Sequence, residues 1–236
     1  MSAIVEIKNL SGGYQKGVII LNGVSLTIDC GEAVGIIGLN GSGKSTLGKS
    51  ILNLLPYRRG TIIFDGEDVT CLTTSELSRK GIAMMQQGGT VFPSLSVYEN
   101  LQMAFRGNYD TDYMWQLERI IPLLQQPQRS LRHTMADKLS GGQRHQLALA
   151  MTLACQPKLV VLDEPSAGLS PAAVEEMYVM LSKVKECSGL SIMLIEQNVA
   201  RAVEFCDRCV MLGQGVIVDE FKNNSIFEIE KRMFNL

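Results

Sequence analysis

Gly38-Leu39-Asn40-Gly41-Ser42-Gly43-Lys44-Ser45-Thr46 sets glycines, a lysine and hydroxyls at the spacing G-x-x-x-x-G-K-[ST]. That spacing suits a cluster of phosphate oxygens. Consecutive backbone N–H groups can wrap an anion only where side chains stay clear, and Gly38, Gly41 and Gly43 have none. Lys44 would place a point charge on the β/γ-phosphates, and Ser45 would offer a hydroxyl to Mg²⁺. Thr46 would open a helix whose first amides and dipole also favour anions. The chemistry indicated is the binding of a nucleoside triphosphate with Mg²⁺.

Two further stretches carry chemistry. Leu159-Val160-Val161-Leu162-Asp163-Glu164 is an apolar run ending in two acids. In an open α/β sheet, ligands sit at the carboxyl ends of strands. Asp163 is then placed to hold Mg²⁺ through its water shell, and Glu164 to orient or deprotonate an attacking water. Leu139-Ser140-Gly141-Gly142-Gln143 puts two glycines at a helix start, a second anion-binding N-terminus.

The elements that must position these residues follow from periodicity. Alternation over 4–10 and 18–28 predicts antiparallel strands near an edge. The run 33–37 predicts a buried strand before the phosphate loop, with a helix over 47–55 after it. Residues 61–64 predict a short strand closing at Asp65-Gly66, residues 77–79 part of a short helix, and 82–85 another strand. From about Gly88 to Lys138 the chain is richer in Gln, Arg, Tyr and Leu, with helical spacing at Leu117, Ile120, Ile121 and Leu124. A helix over 140–155, strands over 159–162 and 191–195, and helices over 172–185 and 199–205 come next. Strands over 209–212 and 216–219 flank a hairpin turn at Gly213-Gln214-Gly215. Short apolar runs alternating with helices predict an α/β fold with a mostly parallel sheet covered by helices.

Composition narrows the class. At 236 residues and 46% hydrophobic the chain can bury a substantial core. The net charge of −2 and the lack of a Lys/Arg run longer than two argue against a nucleic-acid partner. Residues 1–8 lack a signal-peptide layout, and no stretch of about 18 apolar residues predicts a membrane span. Six scattered cysteines read as free cytosolic thiols. Cys206-Asp207-Arg208-Cys209 is a C-x-x-C without a second ligand pair and reads as a helix end feeding a buried strand.

With the phosphate loop, Ser140-Gly141-Gly142-Gln143 and Asp163-Glu164 in this order, the chain resembles the ATP-binding cassette ATPases over essentially its whole length. The resemblance implies a P-loop ATPase with an antiparallel N-terminal β-subdomain and an inserted helical subdomain. Residues 1–236 would form one ATPase domain, with 1–88 and 155–236 as nucleotide-binding core and 89–154 as the helical subdomain carrying the signature helix. It implies ATP and Mg²⁺ as cofactors. Tyr14 matches the aromatic that stacks on adenine. Gln87 matches the glutamine that reaches Mg²⁺ and the water and links the site to a transmembrane partner. Ser166 to Ser170 match the loop touching the opposite subunit. The signature Ser140–Gln143 of one subunit would cover the γ-phosphate of the other.

Three stretches resemble the ATPases of branched-chain amino acid and urea/amide importers. They are Gln87-Gly88 with Val91 to Leu101, Leu169-Ser170-Pro171 with the tail from Phe227 to Leu236, and Leu194-Ile195-Glu196-Gln197-Asn198. Gln197 stands where most cassette ATPases carry histidine, and would contact the γ-phosphate as a neutral donor. Gln86, His145, Gln146 and Met151 depart from the family pattern, the last replacing an arginine. The implied protein is an ATP-hydrolysing importer subunit on the inner face of the cell membrane. Its partners would be integral-membrane permease subunits, a second ATPase subunit (identical or not) and, indirectly, an extracytoplasmic solute-binding protein. Two other readings stand: a soluble cassette ATPase uncoupled from transport, and a weakly active nucleotide-binding partner subunit.

Overall fold

The computed structural model describes residues 2–104, 133–222 and 226–233. The helical spacing at Leu117, Ile120, Ile121 and Leu124, and the end of the tail at 234–236, lie outside them. Residues 2–104 form β1 (Ala3–Gly13), β2 (Leu21–Asp29), β3 (Ala33–Ile37), α1 (Lys44–Ile51), β4 (Tyr57–Phe64), β5 (Glu67–Asp68), α2 (Thr74–Arg79), β6 (Ile82–Met85) and α3 (Val97–Ala104). Beyond residue 132 come α4 (Gly141–Ala154), β7 (Leu159–Asp163), α5 (Pro171–Ser188), β8 (Ser191–Ile195), α6 (Val199–Phe205), β9 (Arg208–Gly213), β10 (Val216–Phe221) and α7 (Ile226–Met233).

Among the described residues the strands form two sheets. An antiparallel sheet has the order β2-β1-β4-β5, and a second has the order β10-β9-β3-β8-β7-β6. In the second, only β10 is antiparallel to its neighbour. Every residue of β3, β7 and β8 is buried, so their unbroken apolar runs reflect cover on both faces. Successive side chains alternate between those faces. Val160, Leu162, Ile192 and Leu194 pack with Leu149 of α4 and Leu181 of α5. Val161, Met193 and Ile195 pack with Leu47 and Ile51 of α1 and with Ile7 and Phe64 of the antiparallel sheet. Helix α1 lies tightly on β7 and β8: a Cβ on Gly48 would sit 2.7 Å from Ile195 Cδ1 and 3.0 Å from Val161 Cγ1.

Several boundaries differ from expectation: β1 extends to Gly13, and β4 starts at Tyr57 and not at 61. The first helix runs over Lys44–Ile51 and not 47–55. Asn53 turns to φ 55° and Leu54 N–H bonds Lys49 O, so Leu55 is buried beyond the helix and only mimics its spacing. β2 begins at Leu21 and not at 18, because Val18 and Ile19 are exposed in the turn after β1.

The stretch Val91 to Leu101 has a local physical explanation. Ser96 and Glu99 cap α3 reciprocally: Ser96 N–H donates to Glu99 Oε2 (2.8 Å) and Glu99 N–H to Ser96 Oγ (3.2 Å). Asn100, fully buried, donates to the carbonyls of Phe92, Leu95 and Ser96 and accepts from Phe92 N–H. This peg fixes the loop that leaves β6. Asn100→Ala is expected to lower stability by about 1–3 kcal/mol, the cost of leaving buried backbone groups unpaired. Urea titration reads this directly, and an unchanged midpoint would remove Asn100 from that role.

Candidate active site at the strand ends

β3, β8, β7 and β6 run parallel side by side, so their carboxyl ends deliver the phosphate loop, Gln197, Asp163-Glu164 and Gln87 to one edge of the sheet. Gly38 turns at φ 145°, and a Cβ there would lie 2.2 Å from Leu212 O, so the loop passes close to the end of β9. Gly43, at φ 103°, is the residue from which α1 starts. The helix therefore opens at Lys44, two residues before the expected Thr46.

Lys44 is buried, and its Nζ donates to the carbonyls of Gly38 (2.8 Å) and Leu39 (3.0 Å). Burial lowers its pKa, while Glu164, Asp163 and Glu196 pull the other way. Asp163 is also buried and accepts from Ser45 Oγ at 2.8 Å. Burial raises its pKa. The Ser45 hydrogen bond opposes this, Glu164 adds to it, and Lys49 and Lys44 oppose it. Desolvation thus acts against the charge of both groups, the condition in which arriving phosphate oxygens and a cation compensate each.

The residues fit Mg²⁺ on their chemistry. Ser45 and Asp163 offer hard oxygen donors already in mutual contact. No cluster of three or more His, Cys, Asp or Glu suited to a metal occurs among the described residues. Mg²⁺ takes one or two carboxylates and completes its shell with phosphate and water oxygens, so Ser45 and Asp163 would suffice as the protein's share.

Glu164 sits in a left-handed turn at φ 48°, with its N–H donating to Ile195 O at 2.9 Å. Both carboxylate oxygens are held. Gln87 Nε2 donates to Oε2 at 2.9 Å and Gln197 Nε2 to Oε1 at 2.7 Å. The Gln197 amide rests on the carboxylate in this structure.

Tyr14 is exposed, and Lys49 Nζ lies 5.8 Å from its ring centroid. Asn40 and Gly41 are exposed at the tip of the loop, whereas Ser42 and Thr46 are buried, with Ser42 Oγ lacking a partner. Ser140 and Gln143 form a capping box: Gln143 N–H donates to Ser140 Oγ (3.2 Å) and Ser140 N–H to Gln143 Oε1 (3.0 Å). The amides of Gly141 and Gly142 lie between, outside the box, and a Cβ on Gly141 would meet open space. Ser140–Gln143 bond one another and not the phosphate loop of the same chain, among the described residues.

Two buried groups beside the site were not foreseen in these roles. Glu196 accepts from Tyr178 Oη (3.0 Å) and from Gln197 N–H (3.1 Å), and so fixes the backbone from which Gln197 projects. Burial, followed by the charge of Glu196, raises the Tyr178 pKa. The pair is 18 positions apart and no local pattern reveals it. His145 is buried on α4, its pKa lowered by burial against the Pro165 carbonyl that holds the ring. A Cβ on Gly89 would lie 3.7 Å from its Nδ1, so α4 touches the loop after Gln87 as well as the turn after Glu164. Met151 lines a cavity of about 500 Å³ with Leu52, Ser78, Met84 and Met103.

This fold and edge define a nucleotide-binding cassette ATPase, and the chain belongs to the ABC transporter family, whose model matches residues 21–167. It is 32% identical over 235 residues to the lipopolysaccharide export system ATP-binding protein LptB of Escherichia coli strain K12, covering 98% of this chain and 97% of LptB. It is 36% identical over 224 residues to the probable branched-chain amino acid transport ATP-binding protein LivF of Archaeoglobus fulgidus, covering 94% and 93%. The dimeric post-hydrolysis structure of the ATP-binding cassette MJ0796 bound to ADP and Pi superposes with a TM-score of 0.79 at 27% identity, over 94% of this chain and 99% of that one. The chain is accordingly an ATP-hydrolysing, Mg²⁺-dependent subunit of the kind that dimerises and works with membrane permease components. No helix among the described residues is long and apolar enough to cross a membrane.

Proposed function

We propose that this chain is the ATPase of an ABC importer for branched-chain amino acids or related small polar solutes. The observation that carries the ATPase part of the reading is the Glu164 carboxylate clasped by two glutamine amides. The likeness to LivF supports the solute class. The chain would sit on the cytoplasmic face of the cell membrane against permease subunits, with a solute-binding protein as an indirect partner.

Bound ATP and Mg²⁺ supply the transferable phosphoryl group and the neutralising charge. The protein's own residues do the rest. Lys44 exchanges the carbonyls of Gly38 and Leu39 for phosphate oxygens. The amides of residues 38–46, Asn40 among them, cradle those oxygens, and Tyr14 turns its exposed face to the base. Ser45, Asp163 and Gln87 would hold the cation. Glu164 takes the proton of the attacking water, oriented by Gln87 and Gln197. Ser140–Gln143 of the second subunit close over the γ-phosphate, and Ser166–Ser170 meet that subunit. Residues 89–154 act as the helical subdomain on the core 1–88 and 155–236. Backbone bonds from Val97 N–H to Thr134 O and from Ala136 N–H to Leu95 O tie the base of that stretch together. Met84, Met103 and Met151 line the cavity beside it together with Thr74, Ser75, Ser78 and Thr152.

Glutamine at 197 does not titrate, so this position adds no acid limb to the pH–rate profile. Gln197→His is expected to retain activity and to introduce a pH dependence around ~6–7, where histidine ordinarily titrates. His133→Gln and His145→Gln serve as controls, being the only native imidazoles. A Gln197→His profile superimposable on wild type would contradict the assignment.

The likeness to LptB favours a second reading, an export ATPase. Reconstitution with candidate permease proteins separates the two. The import reading expects ATPase stimulation by a solute-loaded binding protein and ATP-dependent uptake of leucine, isoleucine or valine. Release of lipopolysaccharide without such uptake would overturn it.

A further inference from the structure

Cys206 and Cys209 lie at the junction of α6 and β9, away from the strand ends described above. Cys206 caps α6 and Cys209 is the second residue of β9. Their sulfurs converge on one point. A Cβ built on Gly35 would sit 2.9 Å from Cys209 Sγ and 3.2 Å from Cys206 Sγ. Gly35, paired in register with Cys209, therefore leaves the space that both thiols fill. The backbone around them is held from several sides. Asp207 Oδ2 accepts from Ala33 N–H (2.7 Å) and from Lys185 Nζ (2.6 Å), and Asp207 N–H donates to Ala33 O (2.8 Å). Arg208 Nε donates to Glu32 Oε1 at 2.6 Å. Cys209 is buried, and Cys206 is partly exposed as a residue at the turn where α6 ends.

We propose that Cys206 and Cys209 form a redox-active dithiol that low-molecular-weight disulfides, of the oxidised glutathione type, close to an intramolecular disulfide. In the first step Cys206 sulfur attacks one sulfur of the external disulfide. The S–S bond breaks, and the departing thiolate carries off the Cys206 proton. In the second step Cys209 sulfur attacks Cys206 Sγ in the mixed disulfide. The second small thiol leaves with the Cys209 proton. Both cysteines are oxidised, and one external disulfide is reduced to two thiols. The meeting of the two sulfurs over Gly35 supports the second step by proximity alone. In the reduced pair the Cys206 thiol donates to Cys209, which together with burial pushes the Cys206 thiol well up and slows the first step.

The test uses the full-length chain incubated with oxidised glutathione, quenched in acid, alkylated in denaturant and digested with trypsin. Trypsin cuts between the two cysteines at Arg208 and again after Arg201 and Lys222. The proposal expects fragments 202–208 and 209–222 to be recovered joined, lighter than their sum by two hydrogens. Reduction should separate them. In Cys209→Ser, glutathione should stay on Cys206. Two outcomes overturn the proposal. One is recovery of both cysteines alkylated while the exposed Cys30, Cys71 and Cys187 carry glutathione. The other is a lasting mixed disulfide on Cys206 in the wild-type chain with Cys209 still free.

Discussion

Glu164→Gln is expected to leave ATP binding intact and to slow hydrolysis by roughly 10²–10⁴-fold, the usual worth of a positioned general base. The replacement keeps the shape of the side chain and removes the oxygen that can take a proton. It also places an NH₂ group where Gln87 or Gln197 now donates. One of those amides would have to turn its oxygen inward, a small change that preserves packing. Because bound ATP would no longer turn over, the paired form should accumulate. Size exclusion should show a dimer with ATP and a monomer with ADP. Turnover at the wild-type rate would remove Glu164 from the chemistry.

The phosphate loop could be read from sequence because its chemistry is local: glycines, a lysine and a serine fix both backbone shape and ligand. β3, β7 and β8 could be read because burial on both faces leaves an unbroken apolar run. The order β3-β8-β7-β6, which lines up their ends, depends on pairing between distant segments. The clasp on Glu164 was not legible for the same reason. Gln87 is 77 residues from Glu164 and Gln197 is 33, so no local pattern joins them. The C-x-x-C was correctly read as a helix end entering a strand, but the meeting of its sulfurs over Gly35 required the fold. Buried Leu55 misled the end of α1, since an apolar residue at helical spacing looks the same whether the helix continues or has turned.

A mixture of Lys44→Ala and Ser140→Arg chains should recover activity that neither has alone, in an assay of self-paired chains. Lys44→Ala removes the buried ammonium that the phosphates would meet. Ser140→Arg breaks the cap that accepts Gln143 N–H and fills the approach to the γ-phosphate of the facing subunit. Each single variant is expected to lose activity, because every site in its dimers lacks one half. In a mixed pair, the intact phosphate loop of one chain faces the intact signature of the other. Random pairing makes half the dimers mixed with one working site of two, so about one quarter of wild-type activity should return. Wild-type rates from either variant alone, or no recovery on mixing, would contradict a site shared between subunits.

Turnover that runs through Glu164 as positioned by the two glutamine amides makes the contributions of Gln197 and Glu164 interdependent, and a double-mutant cycle measures that dependence. Single-turnover hydrolysis at saturating Mg-ATP would be compared for wild type, Gln197→Ala, Glu164→Gln and the double variant. Groups that act as one unit are not additive in their effects. The account predicts that Gln197→Ala slows the wild-type chain and adds nothing once Glu164 is glutamine. An equal further loss from Gln197→Ala in the Glu164→Gln background would show that Gln197 acts independently of the carboxylate, and would contradict the account.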